Sequence, residues 1–115
     1  MSLTIYHNPR CSKSREALRL IEDRGLEPQV VRYLETPPDA PTLDAILRLL
    51  GLEPRELMRR KEPEYEALGL DDPSQSREAL IAAMVVHPRL IERPIVVKDG
   101  KAILGRPPER VLDLL

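Results

Sequence analysis

The chain has 115 residues, of which 42% are hydrophobic and 32% charged, and its formal net charge is −1. That length suffices for one hydrophobic core and not for two, so a single domain over 1–115 is expected. The balanced charge excludes a protein that grips nucleic acid or a membrane surface through a broad basic excess. Apolar runs such as Ala82–Val86 fall far short of the roughly 20 residues that span a bilayer. The N-terminus also lacks a charged leader followed by a long apolar stretch, so the cytoplasm is the expected compartment.

One cysteine cannot form an internal disulfide, and one cysteine with two histidines and scattered carboxylates lacks metal-ligand spacing. No metal and no bound cofactor are expected. There is no Phe or Trp, so the core must be built from Leu, Ile, Val, Ala and Met. Modest size and balanced charge make a monomer the default.

In chain order, Leu3-Thr4-Ile5-Tyr6 alternates and then meets Asn8-Pro9, which predicts a buried strand entering a loop. Ala17, Leu18 and Ile21 recur at helical spacing between Ser12 and Arg24, with Gly25 as the stop. Gln29–Tyr33 reads as a second strand, broken by Thr36-Pro37-Pro38. Leu43, Ile46, Leu47 and Leu50 then form a helical stripe closed by Gly51, and Pro54 starts a further helix carrying Leu57 and Met58. A third helix of this middle segment is predicted over Ser76–Val86, with Ser76 as N-cap and His87-Pro88 as its end. Ile95-Val96-Val97 and Ala102-Ile103-Leu104 flank Lys98-Asp99-Gly100-Lys101, a hairpin signal. Pro107-Pro108 opens a last short helix carrying Val111, Leu112, Leu114 and Leu115. The order β-α-β, helices over about 40–88, β-β-α predicts an α/β fold. Its form is a thioredoxin-like four-stranded mixed sheet with an all-helical insert.

Cys11 stands between the first strand and the first helix. Unpaired N–H groups and the positive dipole end at a helix start favour a thiolate, so a reactive cysteine is physically reasonable there; a small buried core residue is the alternative. Cys11-Ser12-Lys13-Ser14-Arg15 has Ser14 where a Cys-x-x-Cys pair would have its second thiol. Its hydroxyl can donate across one helical turn to a thiolate, or Ser14 is simply a serine of the helix's first turn. The Cys-x5-Arg loop of phosphatase-like enzymes is absent because position 17 is Ala. Oxyanion-binding arginines must therefore come from elsewhere: Arg59-Arg60 in the insert, Arg93 before Pro94, or Arg106 before Pro107. A guanidinium suits a tetrahedral oxyanion through its paired donors and its permanent charge, although most of the 18 basic residues must simply be solvated. His7, four residues before Cys11, is a candidate to stabilise the thiolate or relay a proton, or else a loop histidine with a satisfied ring.

Four segments in order resemble the ArsC family of arsenate reductases. They are Tyr6-His7-Asn8-Pro9-Arg10-Cys11-Ser12-Lys13-Ser14-Arg15; Tyr33-Leu34-Glu35-Thr36-Pro37-Pro38; His87-Pro88 followed by Arg93-Pro94-Ile95-Val96-Val97; and Gly105-Arg106-Pro107. The resemblance implies a thioredoxin-like fold, a single catalytic cysteine at Cys11 with His7 beside it, and three arginines that bind arsenate and steady its transition state. By motif two of these are Arg93 and Arg106. The third falls on Arg59, since Leu57-Met58-Arg59-Arg60 resembles the family's leucine-rich stretch, with Arg60 adjacent as the other choice. Ser14 joins these arginines as a candidate substrate contact. The chain stops at Leu115, where better-known members carry a longer tail, with no catalytic residue expected to be lost.

The implied activity is reduction of arsenate to arsenite through a cysteine thioarsenate intermediate, a step in arsenic detoxification. With no second cysteine, glutathione is implied as co-substrate and glutaredoxin as partner. Two rival readings remain open. One is a thioredoxin-like regulatory or binding protein, whose family branch typically shows Cys-x-x-Cys where this chain has Ser14. The other is a glutathione-dependent thiol reductase of another substrate.

Overall fold

The computed structural model describes residues 2–115. Two compact units emerge, residues 1–36 with 93–115, and residues 37–92.

The first unit holds the sheet. Strands β1 (Leu3–His7), β2 (Gln29–Arg32), β3 (Ile95–Lys98) and β4 (Lys101–Leu104) lie in the order β2-β1-β3-β4. β1 runs parallel to β2 and antiparallel to β3, and β3 is antiparallel to β4. This is the mixed, thioredoxin-like sheet expected from the sequence. The parallel pair requires a crossover, which helix α1 (Ser12–Asp23) supplies. Side chains of β1 alternate, so Leu3, Ile5 and His7 face one buried side. On α1 the buried stripe is Ser14, Ala17 and Ile21, spaced three and four residues apart. Leu3, Ile5, Ala17, Ile21, Val96 and Val111 form the core. The Leu, Ile and Val side chains among them each contribute on the order of 1.5–3 kcal/mol by leaving water.

The β3–β4 hairpin closes through Asp99-Gly100, with the last register pair Lys98 and Lys101. Both turn residues have positive φ, 49° and 79°, the geometry in which a two-residue turn matches strand twist. The Asp99 carboxylate accepts from the Ser2 N–H at 2.9 Å. The final helix expected after Pro107-Pro108 is a 3-10 segment, Pro108–Asp113, which sets Val111 into the core. Pro107 is its N-cap and Pro108 its first residue, and its bonds span three residues, as from the Arg110 N–H to Pro107 O at 3.0 Å and from the Leu114 N–H to Val111 O at 3.1 Å.

In the second unit, α2 (Ala40–Leu50) begins at Asp39, whose carboxylate accepts from the Thr42 N–H at 2.9 Å. Leu43, Ile46 and Leu47 are its buried stripe. The helix expected from Pro54 through Met58 is a single 3-10 turn ending at Leu57. Met58 instead forms an isolated bridge with Ile91, flanked by Arg59 N–H to Leu90 O at 2.7 Å and Glu92 N–H to Leu57 O at 2.8 Å. A short helix that the sequence reading missed, α3 (Pro63–Ala67), has one buried anchor, Tyr65, too few residues to show a period. α4 (Arg77–Val86) starts where expected, with Ser76 Oγ accepting from the Ala79 N–H at 3.1 Å, and ends before His87. Among the described residues no helix is long and apolar enough to cross a membrane.

Candidate active site

The site is built where β1 gives way to α1. The chain leaves the sheet at His7, turns through Asn8-Pro9-Arg10 and re-enters regular structure at Cys11. Asn8 shapes this turn twice: its backbone O accepts from the Cys11 N–H at 3.0 Å, and its Oδ1 accepts from the Arg10 N–H at 3.0 Å. Arg15, one helical turn on, donates from Nη1 to Pro9 O at 2.9 Å. The loop is therefore braced from both ends.

Cys11 is the N-cap of α1 and is half-buried, with extended backbone, φ −95° and ψ 121°. Burial by itself would push its thiol up. The Ser14 backbone N–H, the charge and N–H groups of Arg93 and the Lys13 backbone N–H outweigh that effect, and the thiol pKa lies below its ordinary value. The backbone of the first helical turn and one guanidinium thus favour the form of sulfur that is a nucleophile.

His7 and Ser14 meet behind the loop. His7 Nδ1 lies 2.7 Å from Ser14 Oγ, both residues are buried, and Ser14 Oγ also accepts from the Asn8 N–H at 3.0 Å. The Ser14 hydroxyl, which helical spacing alone would have aimed at the Cys11 sulfur, is instead held by His7 and Asn8. The reason is the pattern of the two elements: position 14 falls on the buried stripe of α1 and position 7 on the buried face of β1. Ser14 acts on the sulfur through its N–H. Burial, then the charges of Arg32 and Arg15, hold the His7 pKa below its ordinary 6.5, with Glu22 opposing. A neutral imidazole is therefore the ground state near pH 7.

Arg93 and Arg106 are brought together. Each precedes a cis proline, Pro94 and Pro107. Arg106 Nη1 donates to Arg93 O at 3.2 Å, and the Gly105 N–H donates to Pro94 O at 2.8 Å. A Cβ at Gly105 would lie 2.9 Å from Pro94 Cγ and 3.0 Å from Val111 Cγ1, so only glycine lets the two arginine-bearing segments approach this closely.

Arg59 belongs to the second unit. Its Nη1 donates to Glu62 Oε1 at 2.7 Å and its Nε lies 3.9 Å from Glu92 Oε1. Glu62 also accepts from Arg89 at 3.3 Å. Arg60 is exposed, with long contacts of 3.4 and 3.5 Å to Arg55 O. Four residues have roles that the sequence reading did not assign: Asn8 and Arg15, which brace the loop; Arg32, which acts on His7; and Glu62, which pairs with Arg59. The Asn-Pro turn and the i,i+3 spacing of Arg59 and Glu62 were visible signals for two of them. Among the described residues no group of three or more His, Cys, Asp or Glu is placed to hold a metal ion.

Half-buried sulfur at a helix start, a guanidinium acting on it and a second arginine beside the first make a site for a thiolate nucleophile and an anion. The family model described as "ArsC family" matches residues 6–114, a span that contains every candidate residue above. The chain belongs to the ArsC family. This ArsC-family chain is 52% identical over 110 residues to an arsenate reductase of Neisseria meningitidis serogroup A, covering 95% of this chain and 94% of that protein. It is 62% identical over 112 residues to the uncharacterized protein YfgD of Escherichia coli (strain K12), covering 96% and 94%. Among solved structures, an arsenate reductase from Vibrio cholerae superposes with a TM-score of 0.96 at 56% identity, covering 100% of this chain and 98% of that one.

Proposed function

We propose that this ArsC-family protein is an arsenate reductase with Cys11 as its nucleophile. The observation that carries the reading is the placement of Cys11 as the N-cap of α1, where the Ser14 and Lys13 N–H groups and the Arg93 guanidinium act on its sulfur and favour the thiolate. The likeness to proteins named arsenate reductases supports it.

The Cys11 thiolate attacks arsenic, an S–As bond forms, and one As–O bond breaks with its oxygen leaving as water. Arg93 and Arg106 bind the oxyanion and offset its negative charge, and the family resemblance adds Arg59 as the third arginine. Anchoring of the Arg59 backbone to Leu90 favours it over the exposed Arg60. Glutathione then attacks the Cys11 sulfur: an S–S bond forms, the S–As bond breaks, and arsenic leaves with the electron pair as arsenite. Two thiols have become a disulfide and As(V) has become As(III). Glutaredoxin takes the glutathionyl group by thiol exchange and frees Cys11. The protein works in the cytoplasm, where thiols are kept reduced, and as a monomer.

The test is arsenate-dependent NADPH consumption with glutathione, glutaredoxin and glutathione reductase, with Cys11→Ser alongside. Turnover that disappears in Cys11→Ser is the expected result. Turnover retained in Cys11→Ser, or none in the native protein with active glutaredoxin, overturns the proposal and favours the regulatory or other-substrate reading.

A further inference from the structure

Beside the Cys11 loop lies a cleft of about 240 Å3 at the ends of β1 and β2. The two strands are parallel with His7 opposite Arg32, so both C-terminal ends open on one edge, where open α/β sheets commonly take ligands. His7, Asn8, Pro9 and Arg10 line it from the end of β1 and the loop that follows, and Arg32, Leu34 and Glu35 line it from the end of β2. Arg10, Arg32 and Glu35 are all exposed. Arg10 immediately precedes Cys11, and the Cys11 N–H is bonded to Asn8 O, so this loop and the thiol belong to one braced turn.

Two cations and one anion around a small, partly apolar cleft are the complement of a ligand with two carboxylates and one ammonium. Glutathione carries that set, with the thiol between them. A second oxyanion would gain from the two arginines but would meet repulsion from Glu35; a zwitterionic peptide uses all three charges. We infer that this cleft seats glutathione, its carboxylates on Arg10 and Arg32, its ammonium on Glu35 and its thiol turned toward Cys11. The inference rests on the reading of the chain as a glutathione-dependent reductase.

The test does not need arsenate. In the native protein, the Cys11 thiolate attacks one sulfur of glutathione disulfide, forms the Cys11–glutathione disulfide and expels one glutathione thiolate. Bis(2-hydroxyethyl) disulfide undergoes the same exchange without charge. The readout is the ratio of the two second-order rate constants, followed by mass spectrometry of the adduct. Arg10→Gln with Arg32→Gln is expected to lower the ratio of the glutathione disulfide rate to the uncharged disulfide rate about tenfold, and Glu35→Gln to lower it about two- to threefold. Glu35→Gln, one exposed and nearly isosteric change, keeps the test readable if the double variant does not fold. An unchanged ratio, whether both rates fall together or neither falls, overturns the inference. Absence of arsenate turnover in the native protein defeats the proposed substrate, and the ratio still decides the cleft.

Discussion

The two compact units treat polar groups in opposite ways. In residues 1–36 with 93–115, the buried polar side chains His7 and Ser14 are bonded to each other directly behind the cysteine loop. In residues 37–92, the charges form surface networks, as between Asp44, Arg48 and Arg77 or Glu62, Arg59 and Arg89, over an interior of Leu, Ile and Met. A buried polar pair is costly to leave half-made, whereas an exposed ion pair is worth little. The sheet unit is therefore where single substitutions should disturb chemistry, and the helical unit, apart from the proposed oxyanion arginine Arg59, is where they should disturb stability alone.

The largest expected effect is at Arg93. Arg93→Gln removes a charge and an N–H that favour the Cys11 thiolate, and a candidate oxyanion donor as well. Arsenate turnover should fall about 100-fold or more. The pH midpoint of Cys11 alkylation, expected below the ordinary 9.0 in the native protein, should rise. Arg89→Gln, which removes surface contacts to Glu62 and Glu64, should leave that midpoint in place. A midpoint that did not respond to Arg93→Gln would erase the contrast between the units. Gly105→Ala comes next. The added methyl meets a proline ring and Val111 at about 3 Å, which should cost about 1–3 kcal/mol in urea unfolding and lower turnover by displacing Arg106.

Ser14→Ala should cost about 1–3 kcal/mol, because it leaves His7 Nδ1 and the Asn8 N–H without their shared oxygen. The companion measurement is stability against pH. The folded His7 pKa is depressed, so between the folded value and 6.5 the unfolded chain binds more protons and stability rises with pH. This contribution is complete above 6.5 and is lost as the pH falls through the folded value. Urea midpoints at pH 7.5 and 5.5 should differ in the native protein, and His7→Gln should shrink the difference.

The sheet, its order of elements and the placement of Cys11 were legible because alternation in Leu3–Tyr6, helical spacing in Ala17 and Ile21, and Asp99-Gly100 are local signals tied to local geometry. The same periods, carried one step further, would have put Ser14 and His7 on facing buried surfaces. Spacing along the helix offers Ser14 either to the thiolate or as an ordinary first-turn serine, and only the question of which stripe is buried brings in His7. Short 3-10 turns and the five-residue α3 were not legible, since a segment with one buried anchor has no period. The bracing of Arg106 against Arg93 depends on close packing at Gly105, for which glycine in the sequence signals only permission.

The smallest effect sharpens the comparison from the helical side. Ser76 Oγ accepts from the Ala79 N–H at the start of α4. Ser76→Ala leaves that donor to water and should cost about 1 kcal/mol, read as a lower urea midpoint at unchanged m-value. Every group that lowers the Cys11 thiol pKa, namely the Ser14 and Lys13 N–H groups and Arg93, lies in the sheet unit. The alkylation midpoint of Ser76→Ala should therefore coincide with that of the native protein while its stability does not. A shift in the Cys11 midpoint on loss of this cap would mean that the helical unit sets the thiol's environment as well, and the division of labour between the two regions would fail.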